Sequence, residues 1–235
     1  MKGGWSASRN RILWAILAGC LCPLWTEAAV TWMCNETFRW RNDDGTEASA
    51  TWRAAKDEFT LGIKTQQTVR IRFCVYPSTV YDGSGQPVTN WLVYSEGPNY
   101  VGTVRVPAMA TTQAFEMAAS PWLSSPQPTT AQLPSGTKTA FLAGWALGYP
   151  QTETPVITFT STNQYSNVEF CIRPTTNARP GKTYKLFATG NLPVDLSSTK
   201  AAYLMMGKPG DVNGDDLVNV DDLNDVVSNF GRSYK

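Results

Sequence analysis

Between residues 29 and 205 the chain alternates apolar and polar residues with a period of two. This period places successive side chains on opposite faces of an extended strand, and it disfavours amphipathic helices, which repeat every 3.6 residues. Clusters rich in Gly, Pro, Asn and Asp separate the strand candidates. These candidates are TVRIRFCVYP, VTNWLVYS, VGTVRVP, TAFLAGWALGY, PVITFTST, NVEFCIRP and KTYKLFATG. Many short strands at short spacing predict an all-β fold, an antiparallel β-sandwich.

Three segments of this body depart from plain alternation. ETFRWRNDDGTEASATWRA predicts a hairpin, because Asp44 and Gly45 suit a tight turn between two strands. Residues 113–119 are the stretch of the body for which we expect a helix. Residues 120–136 contain four Pro and predict a long loop inside the domain, since the alternation resumes after them.

The C-terminal stretch GDVNGDDLVNVDDLNDVVSNFG places six Asp residues between positions 211 and 225. A twelve-residue calcium loop takes side-chain oxygens at positions 1, 3, 5, 9 and 12 and a backbone carbonyl at position 7. The residues at these positions are Asp211, Asn213, Asp215, Leu217 through its carbonyl, Asn219 and Asp222. Position 6, where Gly usually allows a sharp bend, holds Asp216, and closing the loop there costs about 1 kcal/mol.

An apolar repeat follows this loop. Leu223, Val226, Val227 and Phe230 recur at helical spacing, and Gly231 stands where a helix would end. A purely solvated acidic tail has no need of this spacing. The pattern therefore favours a calcium loop that opens a helix over an acidic tail.

These 22 residues resemble one repeat of a type I dockerin, whose segments run Gly-Asp-Val-Asn-Gly-Asp-Gly-x-Val-Asn-x-x-Asp and continue into an apolar helix. The Asp-x-Asn-x-Asp spacing, Asp at position 12, and Val218 next to Asn219 carry the resemblance. It implies Ca²⁺ binding, and in its usual two-repeat form it implies docking into a cohesin module. A second Asp-x-Asn-x-Asp is missing from this sequence. Single repeats of this kind are familiar as C-terminal tags on secreted bacterial proteins.

Residues 1–28 have the pattern of an export signal. Lys2, Arg9 and Arg11 precede an apolar run that is too short to cross a bilayer. We favour cleavage after Ala28 and free secretion. The alternative is a lipoprotein anchored through Cys20, because LAGC (17–20) resembles a lipoprotein signal. The chain thus divides into a signal (1–28), a β-sandwich (29–205) and a calcium-binding segment (206–235).

Three Cys residues follow the proposed cleavage site: Cys34, Cys74 and Cys171. RFCVYPST and EFCIRPTT both place Phe-Cys-aliphatic-x-Pro at the end of a strand candidate, and equivalent strands in two halves of a sandwich would bring Cys74 and Cys171 together. Exported chains are oxidised, so we predict a disulfide between them, with buried thiols as the alternative and Cys34 as a substitute for either partner. VEFCIRPTTNARPGKTYKL also resembles the closing part of cohesin-like sandwiches, so the sandwich is expected to be immunoglobulin-like or cohesin-like.

Several chemistries are excluded by composition. The chain has no His, which removes Ser-His-Asp and Cys-His nucleophile systems and every His-ligated metal site. Without residues 1–28 the formal charge is −1, so we expect neither nucleic-acid binding nor attraction to anionic lipid. A pair of carboxylates acting on a glycosidic bond remains available. Its candidates are Asp57, Glu58, Glu96, Glu116 and Glu153, which we expect instead to be solvated or turn-capping carboxylates.

The sequence therefore favours a secreted, non-catalytic β-sandwich with a C-terminal Ca²⁺-binding segment, active in extracellular attachment or assembly. Its partner would be a cohesin-like or cell-surface protein, and a membrane contact is expected only if Cys20 is lipidated. The alternative is a carbohydrate-active component, either a polysaccharide-binding module or a glycoside hydrolase. Planar aromatic side chains can stack on sugar rings, and among the nine Trp residues we expect Trp122, in the Pro-rich loop, to be exposed.

Overall fold

The structure is a computed structural model that describes residues 31–80, 85–97, 102–197, 199–208, 210 and 218–229. The predicted export signal, including Cys20 and Ala28, lies outside these residues. The described part of the chain forms fourteen strands and one helix. These are β1 (Met33–Asn42), β2 (Thr60–Ile63), β3 (Val69–Pro77), β4 (Gln86–Val88), β5 (Asn90–Glu96), β6 (Val104–Arg105), β7 (Phe115–Met117), β8 (Gln127–Pro128), β9 (Ala140–Leu142), β10 (Trp145–Leu147), β11 (Ile157–Phe159), β12 (Gln164–Pro174), β13 (Thr183–Gly190), β14 (Ala202–Met206) and α1 (Val220–Asn229).

The strands form two main sheets. The first has the order β1-β3-β12-β10-β8, and β7 and β9 also pair with β12. The second has the order β2-β14-β13-β5-β6, while β4 and β11 form a separate two-stranded ribbon. Most neighbours are antiparallel, but β9 and β10 run parallel to β12, and β2 runs parallel to β14. The all-β prediction is confirmed.

The two sheets share one apolar core. Phe73 on β3 contacts Phe38 on β1 and Phe170 on β12, with ring centroids 6.4 and 6.5 Å apart. Tyr94 and Tyr184 of the second sheet enter the same core, and their rings lie 6.1 Å apart. Edge-on aromatic contacts of this kind add stability beyond the burial of their area. The inward residues of the alternating pattern are therefore the ones that hold the sandwich together.

The outward face of β3 is buried as well. Ile71 and Phe73 point into the sandwich, whereas Arg70 and Arg72 occupy the alternate positions, yet all four residues have no exposed surface. Loops cover the arginines from outside: Gly45 accepts a hydrogen bond from Arg70 Nη2 at 2.8 Å through its carbonyl oxygen. The first sheet is thus buried on both faces in this region.

A buried charge cluster lies under these loops. It consists of three arginines and three carboxylates: Arg41, Arg70, Arg72, Asp43, Glu47 and Glu169. Oε2 of Glu169 accepts hydrogen bonds from Arg41 Nη1 at 3.0 Å and from Arg72 Nε at 2.6 Å. Equal numbers of positive and negative groups leave the cluster formally neutral. Such pairing is what makes buried charge tolerable in a protein interior.

The helix predicted for residues 113–119 is wrong. Phe115–Met117 form strand β7, which pairs antiparallel with β12 and places Glu116 opposite Arg173. Phe115 and Met117 are buried, and Arg173 Nε donates a hydrogen bond to Glu116 Oε1 at 2.7 Å. Pairing with the long neighbouring strand outweighs the helical propensity of so short a segment.

The hairpin predicted around Asp44 and Gly45 is correct in part. The chain turns back after β1, but it returns through an isolated bridge between Arg41 and Trp52 instead of a full second strand. The connection is a longer loop than a two-residue turn. Its closure is fixed by Asp44, whose Oδ1 accepts a hydrogen bond from the backbone N–H of Thr51 at 2.8 Å.

Residues 120–136 form the predicted long loop, interrupted by the two-residue strand β8. Leu133 packs against Cys74 and Tyr165 on the outward face of the first sheet. The backbone of Leu133 also exchanges two hydrogen bonds with the side chain of Asn167, at 3.0 and 2.8 Å. The loop is therefore a cover for the sheet and belongs to the same domain.

The predicted Cys74–Cys171 disulfide is wrong, and both residues are buried thiols. The two strands are neighbours, but Cys74 lies opposite Asn167, whereas Cys171 lies opposite Arg70. Each Cys stands three residues before the Pro that ends its strand. Because the two strands are antiparallel, their C-terminal ends lie at opposite ends of the pair. Four residues of offset correspond to about 13 Å along the strand, too far for a disulfide.

Candidate functional sites

The start of α1 holds two of the six predicted calcium ligands. Asn219 Oδ1 accepts a hydrogen bond from the backbone N–H of Asp221 at 2.6 Å, and Asp222 Oδ2 accepts one from the backbone N–H of Asn219 at 2.8 Å. This is a reciprocal N-terminal cap, and it explains why the helix begins here. Asp222 is buried with 3% exposure. The side chains at loop positions 9 and 12 are therefore fixed beside each other.

The residue before the predicted loop lies close to a residue inside it. Gly210, directly before position 1, has a φ of 92°, in the left-handed region that favours glycine. A Cβ atom added to Gly210 would lie only 3.1 Å from Cγ1 of Val218, at position 8. Gly210 and Val218 therefore lie close together in space.

Four predicted ligands, Asp211, Asn213, Asp215 and Leu217, lie outside the described residues. Among the residues that the structure does describe, no three His, Cys, Asp or Glu side chains come together as a metal-binding group.

One side of α1 is apolar and exposed. Val220, Leu223 and Val227 are 64%, 59% and 65% exposed. An apolar face of this kind is expected to pack on the sandwich near residues 201–206 or on another chain. The exposure of Leu223 and Val227 means that these two side chains do not pack on the sandwich. Phe230, the last member of the predicted face, lies outside the described residues.

Four of the five candidate catalytic carboxylates are held by cations. The pairs are Asp57 with Lys200 (2.5 Å), Glu96 with Arg179, Glu116 with Arg173 (2.7 Å) and Glu153 with Arg105 (3.0 Å). Glu58 is exposed. Burial acts to raise the pKa of Asp57 and of Glu116, but hydrogen bonds from their partners outweigh it, so both pKa values are lowered. A general acid needs a raised pKa, so neither group is suited to protonate a leaving group at neutral pH.

The tryptophans divide between structural and exposed positions. Trp40 is fully buried, and Trp52 contacts the guanidinium groups of Arg39 and Arg41, whose Cζ atoms are 4.5 and 4.8 Å from its ring centroid. Trp122 is 47% exposed, as predicted from its place in the Pro-rich loop. It is the tryptophan that a large external ligand reaches most readily among those described.

A surface that sequence reasoning missed lies where the edges of the two sheets meet. We call it the edge groove and define it by Asp57, Phe59, Lys200 and Tyr203. Its cavity measures about 360 Å³, and a second cavity of about 250 Å³ adjoins it, sharing Phe59 and Tyr203. In the sequence, Phe59 lies between the predicted hairpin and the strand candidate TVRIRFCVYP, and no local pattern indicates that its ring is exposed.

Within the described residues, no helix is long and apolar enough to cross a membrane. No protein-family model, curated protein or solved structure matches this chain.

Proposed function

We propose that this chain is a secreted, calcium-binding β-sandwich protein whose C-terminal segment serves extracellular attachment or assembly. The observation that supports the proposal is the proximity of Gly210 and Val218, since a Cβ atom added to Gly210 would lie 3.1 Å from Cγ1 of Val218. Asn219 and Asp222, at positions 9 and 12 of the predicted loop, are fixed beside each other at the start of α1. Oxygen donors brought together in this way suit Ca²⁺.

Charge explains why a cation matters here. Asp211, Asp215 and Asp222 must converge when the loop closes, and like charges at short distance repel one another. A bound Ca²⁺ cancels that repulsion and fixes the first turn of α1. The helix then presents Val220, Leu223 and Val227 as one firm apolar face, and these side chains are exposed. A cohesin-like or cell-surface protein is the partner that such a face would take.

Calorimetry of Ca²⁺ binding tests the loop. Because a lone loop lacks a paired second loop, we expect a dissociation constant of roughly 10⁻⁵–10⁻³ M. Asp211→Ala combined with Asp215→Ala removes two ligands and should abolish binding. Asp221→Asn is the matched control, since it removes a charge from the same segment at a position that is not a ligand, and it should bind nearly as the parent does. The calcium loop is contradicted if the parent and the double variant take up equal amounts of Ca²⁺, or if the parent takes up none at millimolar calcium. Either result would favour a solvated acidic tail.

Export is tested separately by the intact mass of the secreted protein. A chain that begins at Ala29 supports free secretion, whereas a diacylated Cys20 at the N terminus places the protein on a membrane surface.

Polysaccharide binding is the second candidate function, and the exposure of Trp122 favours it. A pull-down on insoluble plant polysaccharides, with the parent and with Trp122→Ala, tests the binding form. Loss of retention in the variant supports a Trp122 site, and equal retention removes it. Release of soluble sugars in the same assay would reveal the glycoside hydrolase form.

A further inference from the structure

The edge groove lies at the open edge of the sandwich. Strands β1 and β2 are the edge strands of their sheets, and Phe38 of β1 lines the groove together with Tyr203 of β14. A cavity of about 360 Å³ falls within the range of small-ligand pockets, roughly 300–1,000 Å³. The adjoining cavity beside Leu61 and Met205 extends it along the sheet. The shape therefore suits an elongated ligand with more than one unit.

Two aromatic rings form one wall of the groove. The ring centroids of Phe59 and Tyr203 are 5.4 Å apart, and their planes are inclined at 54°. Phe59 is 60% exposed, so most of its ring is open to solvent. An open ring beside a cavity offers an apolar face to a ligand that has an apolar face of its own. The C–H face of a pyranose ring has this character.

The other wall is polar and fixed in place. Asp57 accepts hydrogen bonds from Thr37 Oγ1 at 2.5 Å and from the backbone N–H of Phe38 at 3.0 Å. Lys200 Nζ donates to the second carboxylate oxygen of Asp57 at 2.5 Å, and the Lys200 side chain is 55% exposed. The carboxylate is thus held by three donors while the ammonium group still faces solvent.

The Asp57–Lys200 pair decides the charge of the ligand. A charged ligand would have to compete with one member of the pair for the other, because the two groups already neutralise each other. A hydroxyl group can accept from the ammonium and donate to the carboxylate without separating them. An apolar ligand would bury both groups without replacing their hydration, which is costly. Neutral ligands rich in hydroxyls and with one apolar face satisfy both walls.

We propose that the edge groove binds a neutral oligosaccharide, which stacks on Phe59 and Tyr203 and hydrogen-bonds to Lys200 and Asp57. None of the residues that line the two cavities belongs to the predicted calcium segment (206–235). The edge groove is also separate from Trp122, so it would make the chain a glycan-binding protein through a different surface.

Calorimetry of the full chain with neutral hexasaccharides of the cello-, xylo-, manno- and chito- series tests the proposal. We expect at least one series to bind equally in calcium and in EDTA, which separates this result from the fate of the calcium proposal. Phe59→Ala should weaken binding about three- to tenfold, the worth of one aromatic contact. Lys200→Met should weaken it about tenfold or more, through loss of a charged hydrogen bond. Trp32→Ala truncates another exposed aromatic residue, 42% exposed and outside the groove, so it is the matched control and should bind within about twofold of the parent.

Three results would overturn the proposal. The first is no binding of any neutral series at millimolar concentration. The second is unchanged affinity in Phe59→Ala, including the case in which Trp122→Ala alone loses binding and places the glycan on the Pro-rich loop. The third is tighter binding of an acidic hexagalacturonide than of every neutral series. Because Phe59 is mostly exposed, Phe59→Ala should keep the parent's thermal unfolding midpoint, which shows that any loss of binding is local.

Discussion

Replacing Glu169 by Gln should destabilise the sandwich more than any change of equal size on its surface. Glu169 has no exposed surface, and its carboxylate lies against three guanidinium groups. Gln keeps the shape but removes the charge, so three buried arginines are left with two carboxylates. If its amide oxygen keeps the bonds from Arg41 and Arg72, its NH₂ group takes the place of Oε1 and presents a donor to the guanidinium group of Arg70, whose Nη1 lies 3.7 Å from Oε1.

The size of the effect follows from burial. Removing one partner of a buried ion pair costs about 3–5 kcal/mol, because the other charge stays buried without compensation. Glu153 gives the comparison, since it pairs with Arg105 at a similar distance of 3.0 Å but with both side chains about two-fifths exposed. An exposed pair contributes about 0–1 kcal/mol. Glu153→Gln should therefore cost no more than about 1 kcal/mol.

Urea unfolding followed by tryptophan fluorescence measures the free energy of unfolding of both variants. Thermal unfolding gives a second measure, because for a domain of this size each kcal/mol shifts the melting temperature by about 2–4 °C. Glu169→Gln should therefore melt roughly 6–20 °C below the parent. Glu153→Gln should melt within a few degrees of it. If the two variants lose the same free energy, burial of the cluster does not govern its strength, and the reasoning fails.

Two further predictions concern acid and thiols. Burial acts to raise the pKa of Glu47, but hydrogen bonds from Thr130 and the charge of Arg72 outweigh it and lower the pKa below the ordinary 4.5. The stability that this lowered pKa contributes is complete above pH 4.5 and is lost as the pH falls through the lowered value. In Glu47→Gln the free energy of unfolding should therefore fall less steeply below pH 4.5 than in the parent. An equally steep fall in both proteins would contradict this. Burial raises the pKa of the Cys74 and Cys171 thiols, so a thiol reagent should label both only after denaturation; an oxidised pair in the denatured, non-reduced protein would show the opposite.

Strand content was predictable because its signal is local. In β3 the residues Val69, Ile71 and Phe73 alternate with arginines, and this pattern alone places them on one face. The burial of Arg70 and Arg72 was not predictable, since arginine at alternate positions is typical of a solvated face. Their burial depends on loops that fold over the sheet from distant parts of the chain.

The prediction of a disulfide was wrong for a related reason. Two segments with the same residues, around Cys74 and Cys171, suggested equivalent positions, but strand direction decides whether equal positions meet. On two antiparallel strands, equivalent positions lie on opposite sides of the midpoint of the paired region. The distance between them along the strands is twice the distance of each from that midpoint. A sequence shows the motif and not the direction in which its neighbour runs.

The edge groove shows the same limit for function. Tryptophans are the aromatic binding residues that the composition suggests, because the chain has nine of them. The groove instead joins Phe59 and Tyr203, which are far apart in the chain and meet through the parallel pairing of β2 with β14. A parallel contact between a short edge strand and a late strand leaves no local signal.

The C-terminal segment is the converse case, where local spacing predicted local geometry. The interval between Asn219 and Asp222 predicts ligands at the start of a helix, and the structure gives these two residues reciprocal capping bonds there. Ala202, Leu204 and Met206 of β14 already fill the sandwich core beside the point where this segment departs. Among the side chains that the structure describes, none from α1 belongs to this core. We therefore predict that the exposed side chains Val220, Leu223 and Val227 form a surface for another molecule, and that a bound cation would stabilise the helix that presents it.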